Sequence, residues 1–176
     1  MRSMGVRRSV SGAMIALWAG SAVAWATPIP VGAGVNNATM AIEFSDGALY
    51  EFDICFGATE SDTETGLGLF DILEANTSLT TLRTTYTFGT FVDGISYDGH
   101  SNSGFYSGED WWHYWIKDSG DTNWLAPSYG VSDRTITDGD SDGWVYGKAY
   151  APGEAPEPAT ATLLATLISL ALFRRR

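Results

Sequence analysis

Between residues 40 and 56 apolar and polar residues alternate on both sides of an Asp46-Gly47 dipeptide. That pattern predicts an antiparallel hairpin with one buried face, because Asp-Gly supplies the tight turn and a period of two supplies the strands. Met40, Ile42 and Phe44 fall on one side of the first strand, with Ala41, Glu43 and Ser45 on the other. After the turn, Tyr50, Phe52, Ile54 and Phe56 share the apolar side, with Glu51, Asp53 and Cys55 opposite.

Other segments are read around this hairpin. Residues 27–37 are rich in Pro and Gly and read as a flexible approach to the domain. Residues 57–65 are polar and turn-like. Leu69, Ile72 and Leu73 are spaced i, i+3, i+4, which predicts one short helix over 66–76. Ser61 and Glu64 have the spacing of a capping box upstream of it. Residues 79–97 return to the strand period, with Leu82, Thr84, Tyr86 and Phe88 on one side of a first run and Phe91, Val92, Ile95 and Tyr97 in a second. Residues 98–110 read as loop, 111–116 as an aromatic strand, and 118–123 as a turn. Residues 124–125 and 133–137 are short strand candidates, 138–143 an acidic turn, and 144–146 a last short strand. Residues 148–155 read as a linker. The expected fold class is therefore α+β: a mostly antiparallel β-sheet with one short helix, in a single small domain over 38–147.

Both ends of the chain read as targeting segments. Residues 1–26 have the form of a secretory signal peptide: Arg2, Arg7 and Arg8, an apolar run over 10–24, and small residues at Ala24 and Ala26 that place cleavage after Ala26. At the other end Pro156-Glu157-Pro158 precedes an uncharged run over 159–173 and the cluster Arg174, Arg175 and Arg176. Fifteen helical residues rise about 22 Å, short for a hydrocarbon layer of roughly 30 Å. The terminal arginines suit a cytoplasmic flank, leaving the domain outside the inner membrane. These three parts in order resemble the PEP-CTERM sorting signal of Gram-negative bacteria. The resemblance covers residues 156–176. It implies recognition by an exosortase-type membrane protease, and a protein associated with exopolysaccharide and biofilm at the cell surface or outside the cell.

Between these ends, residues 27–155 carry 20 acidic residues against Arg83, Lys117, Arg134 and Lys148, a net charge of −16. A segment this acidic repels nucleic-acid phosphates and anionic headgroups, so no nucleic-acid partner is expected. Cys55 is the lone cysteine, which excludes an intramolecular disulfide. With Glu51 and Asp53 on its side of the strand it reads as a structural thiol.

Three features bear on function. Asp138, Asp140 and Asp142, followed by Gly143, match the first half of an EF-hand-like calcium loop, but its twelfth position is Ala149, which lacks the closing carboxylate. Calcium is the only cofactor the sequence brings forward, and an acidic β-turn accounts for the same residues. Trp111, His113 and Trp115 share one side of the aromatic strand: a solvent-facing pair of tryptophans favours ligand binding, a buried pair favours a structural role. His100 and His113 lie in different elements without metal-ligand spacing, and no nucleophile motif is present. Glu109 and Asp110 form no specific pairing for glycoside chemistry. A non-catalytic protein is expected.

The middle of the chain, roughly 38–147, also resembles a known family. Trp112, Tyr114 and Ile116, and later Asp138, Gly139, Asp140 and Trp144, follow the two motifs of the transcobalamin-like C-terminal domain, with one extra residue in the second and Lys117-Asp118 in place of Asn-Gly. The resemblance implies a small α+β binding or capping module, and does not imply cobalamin binding. The expected function is an exported envelope or matrix protein whose domain binds a glycan or small molecule. The alternatives are a purely structural matrix component and, third, a secreted hydrolase.

Overall fold

The computed structural model describes residues 27–104 and 111–153. The segment expected to be a signal peptide, with Ala24 and Ala26, the Pro156-Glu157-Pro158 motif, the run over 159–173, Arg174–Arg176, and the Glu109-Asp110 pair lie outside the described residues. Among the described residues no helix is long and apolar enough to cross a membrane.

The chain runs β1 (Ile29–Gly32), β2 (Asn36–Glu43), β3 (Leu49–Phe56), β4 (Glu64–Thr65), α1 (Gly66–Asn76), β5 (Thr80–Tyr86), β6 (Gly89–Tyr97), β7 (His100–Ser103), β8 (Trp112–Lys117), β9 (Thr135–Ile136) and β10 (Ser141–Tyr146). A 3-10 turn covers Val131–Asp133. The described residues are thus mostly β with one α-helix, in one small domain, as expected from the sequence. A five-stranded sheet has the order β1-β3-β2-β10-β8, a three-stranded sheet the order β5-β6-β7, and β4 pairs with β9.

The Asp46-Gly47 hairpin forms, with Met40 opposite Phe52 and Ile42 opposite Tyr50, so the apolar sides of the two strands coincide. Gly47 takes φ 88°, the left-handed region that the turn requires. The apolar side of β2 and β3 packs against Leu69, Phe70 and Leu73 of α1 and against Val92 and Ile95 of β6, forming the core. The helix spans the predicted residues, but its cap differs. Thr65 is the N-cap and its hydroxyl accepts from the Gly68 backbone N–H at 3.0 Å, so Ser61 and Glu64 do not form the capping box. Glu64 instead accepts from the Thr65 N–H at 2.8 Å.

Five expectations are corrected. The approach at 27–37 contains β1, a parallel edge strand on β3, and the start of β2. The hairpin buries part of its second face too: Ala41 and Glu43 are both buried, Glu43 beneath residues 148–153. Those residues are therefore part of the fold rather than a linker. The loop at 98–110 holds β7, whose polar residues pair with β6. The acidic turn ends at Asp140, and Asp142 and Gly143 lie in β10, a fully buried central strand parallel to β2 and antiparallel to β8.

In β5 the alternation is inverted relative to an ordinary half-buried strand. Leu82 and Tyr86 are exposed, while Arg83 faces α1, reaching Asp71 at 2.7 Å and Glu74 at 3.0 Å above the Phe70 ring. The helix presents acids to this strand, so the basic residue turns inward and the apolar residues turn out.

Candidate functional site

A cavity of about 400 Å³ opens where three elements converge: the β5–β6 turn with the first half of β6, the start of β8, and the segment 127–132. That volume is within the range of small-ligand sites, and the lining is mainly apolar and aromatic, as is usual for such sites. Phe88 and Phe91 come from the hairpin, Trp111 and His113 from the head of β8, and Tyr129 from the opposing segment.

Local sequence explains each contribution. The tight turn before Gly89, whose φ is 143°, returns the chain so that Tyr86, Phe88 and Phe91 cluster. Tyr86 and Phe88 stack with centroids 5.4 Å apart and planes within 10°. Phe91 meets both rings edge-on at 5.7 and 6.0 Å. The Ser132 hydroxyl accepts from the Thr90 N–H at 3.3 Å and joins the hairpin to the opposing segment. Trp111 and His113, two residues apart along the strand, lie with their rings 5.1 Å apart on the same side.

The floor is set by the core side of β8 and β10. Tyr114 and Trp144 are cross-strand partners and stack at 4.6 Å. The Tyr114 hydroxyl donates to Asp142 Oδ2 at 2.7 Å. Arg134, itself buried, reaches Asp118 at 2.6 Å and lies 3.5 Å from both Asp140 and Asp142. Burial pushes the Asp142 carboxyl up to about 6, against the pull of the Tyr114 hydroxyl and Arg134. Burial, helped by the Asp142 charge, also raises the Tyr114 phenol. This cluster lies behind the cavity and fixes β8 against β10 and the 131–134 turn.

The sequence-predicted residues are divided by the fold. Trp111 and His113 line the cavity, whereas Trp115 does not. Both tryptophans are half-buried, so the pair is neither an open platform nor a piece of core. The calcium reading of Asp138, Asp140 and Asp142 is not met. Asp138 accepts from the Asn37 N–H at 2.8 Å, Asp140 from the Ser119 and Thr137 N–H groups at 2.8 Å each, and Asp142 lies in a strand. Their oxygens serve the backbone, the Tyr114 and Thr137 hydroxyls and Arg134, and no group of three or more His, Cys, Asp or Glu that could hold a metal is found among the described residues. His100 pairs with Asp46 at 2.7 Å, linking the β2–β3 and β6–β7 turns away from the cavity. Cys55 is half-buried, 3.9 Å from the Asn37 amide nitrogen.

Sequence reasoning missed Phe88, Phe91, Tyr129 and Ser132. A signal was present in the crowding of Tyr86, Phe88 and Phe91 around a glycine, an expensive composition for a turn unless the rings meet something. Comparison with family models, curated proteins and solved structures finds no match to this chain.

Proposed function

We propose that this protein is a non-catalytic glycan-binding module exported to the cell envelope or extracellular matrix. The observation that carries the reading is the aromatic cavity between the β5–β6 hairpin and β8. Flat rings at its mouth suit the apolar faces of sugar rings, while Asp93, Ser132 and His113 offer polar contacts to hydroxyls. Asp93 is the one carboxylate among the described lining residues, whereas glycoside hydrolysis ordinarily needs two acids across the bond. The resemblance to the transcobalamin-like domain supports a binding or capping role. The signal peptide and the PEP-CTERM-like tail support export, passage along the inner membrane and sorting by an exosortase-type protease.

The test is a glycan array with the purified protein, followed by thermal shift on the hits. A bound glycan raises the melting temperature, by an amount that grows with the logarithm of its concentration above Kd. Trp111→Ala weakens binding about tenfold, the loss of one good ring contact. If no glycan binds and none shifts the melting temperature, the binding reading fails and a structural matrix role takes its place.

A further inference from the structure

The cavity does not end at the hairpin. A second concavity of about 310 Å³ lies against Tyr86, Phe88, Phe91 and Asp93. Three of these residues, Phe88, Phe91 and Asp93, also line the first. The two hollows therefore adjoin along one aromatic ridge, with Trp111 and His113 at one end and Tyr86 at the other. We propose that this ridge is the centre of an extended groove that holds an uncharged glycan chain across several sugar units, one side of Phe88 and Phe91 serving each subsite. The inference rests on the glycan-binding reading and adds the length and charge of the ligand.

Three observations favour this occupant. The exposed rings are held in a fixed array: Phe88 is 71%, Tyr86 52% and Phe91 43% exposed, yet each touches the other two. Preformed ring faces of this kind lose little entropy on binding. Together the three rings expose about 300–400 Å². That is well under the roughly 800 Å² per partner of a stable protein interface, so a second copy of the chain is a poor match. The charge is the third observation. Asp93 stands at the junction of the hollows and the domain around it is strongly acidic, which disfavours polyuronates, sulfated glycans and anionic bilayers. Thr84 donates its hydroxyl to the Asp93 carboxylate, which leaves Asp93 oriented on the ridge as an acceptor for sugar hydroxyls.

The experiment measures binding to array glycans of one to eight units, neutral and anionic, using wild type, Tyr86→Ala and Trp111→Ala. Affinity for the preferred neutral series should climb roughly tenfold or more between two and six units. Tyr86→Ala should remove most of that gain while weakening the shortest bound ligand far less, because Tyr86 lines only the second hollow and reaches the first only through its packing on Phe88 and Phe91. Trp111→Ala should weaken every length. Unchanged melting temperatures check that both variants fold, and Tyr86→Phe should restore the length dependence. Equal affinity for short and long ligands, or a preference for anionic chains, overturns the extended groove but leaves glycan binding standing. Absence of all glycan binding overturns both. Dimerisation or vesicle binding that Tyr86→Ala abolishes, in place of the length effect, assigns the ridge to another partner and overturns the inference.

Discussion

Asp142 shows how one residue changes meaning between sequence and structure. In the string Asp138-Gly-Asp-Ser-Asp142 it looks like a solvated turn acid, yet it is wholly buried in β10. What resolves the difference is Arg134, one of only four basic residues between 27 and 155, placed beside Asp118, Asp140 and Asp142. Nothing in local spacing announces that convergence, because it depends on β10 pairing with β8. The consequence is a pH signature. The folded carboxyl is raised to about 6, above its ordinary value near 4. The folded state therefore holds this proton more tightly than the unfolded chain does. Its contribution to stability is full below about pH 4 and is lost as pH rises through about 6. The Asp46 and Asp62 carboxyls are held below the ordinary value by backbone hydrogen bonds and act at lower pH, in the opposite sense. Urea unfolding of wild type and Asp142→Asn between pH 4 and 7 separates these effects. Wild type should lose stability relative to the amide variant as pH rises across that window. Parallel curves would mean that Asp142 does not titrate there.

At the scale of elements, the parts most legible in sequence were those specified by their own residues. The Asp46-Gly47 hairpin carries its turn and both faces within seventeen residues, and α1 carries its apolar stripe. Three others are decided by partners far along the chain. β1 exists because β3 offers an open parallel edge. β7, a His-Ser-Asn-Ser string, exists because β6 pairs with it. β10 runs through the acidic Asp142 because it is bonded on both sides. The cavity was legible only in its β8 portion for the same reason, since its hairpin wall and its 127–132 wall come from other elements. Gly66 illustrates the partner effect inside the helix. Alanine has a helix propensity about 1 kcal/mol better than glycine. A Cβ on Gly66, however, would lie 2.6 Å from Val131 Cγ2, 2.9 Å from the Val131 carbonyl oxygen and 3.0 Å from Asp142 Oδ2. The carbonyl belongs to the 3-10 turn that borders the cavity and cannot rotate aside. Gly66→Ala should therefore destabilise the fold by about 1–2 kcal/mol despite its better propensity, as overpacking outweighs the helix gain. A denaturant midpoint at or above that of wild type would show that the turn yields.

Across the whole molecule, the back of the central sheet is closed by chain more than a hundred residues away from the strand it covers. Glu43, at the end of β2, is only 5% exposed. One of its carboxylate oxygens accepts from Lys148 Nζ at 3.3 Å and the Tyr150 hydroxyl at 3.1 Å, and the other from the Gly153 N–H at 3.1 Å. Pro152 packs so closely on β10 that a Cβ at Gly143 would come within 2.6 Å of its ring. Composition alone reads Ala, Pro and Gly here as a linker, because the feature that pins the segment is an acid at the far end of the sequence. A buried carboxylate that serves three donors has no substitute on an apolar sheet face. Glu43→Ala should leave those donors without their acceptor and lower stability by about 1–3 kcal/mol. The loss should be local in character: amide exchange should accelerate across 148–153 first, while the β2–β3 ladder keeps most of its protection. Glu43→Gln, which retains one carbonyl oxygen, should fall between the two. If exchange across 148–153 is as fast in wild type as in Glu43→Ala, the carboxylate does not hold the strap. If protection in β2–β3 falls by the same factor as in 148–153, the strap and the sheet unfold as one unit.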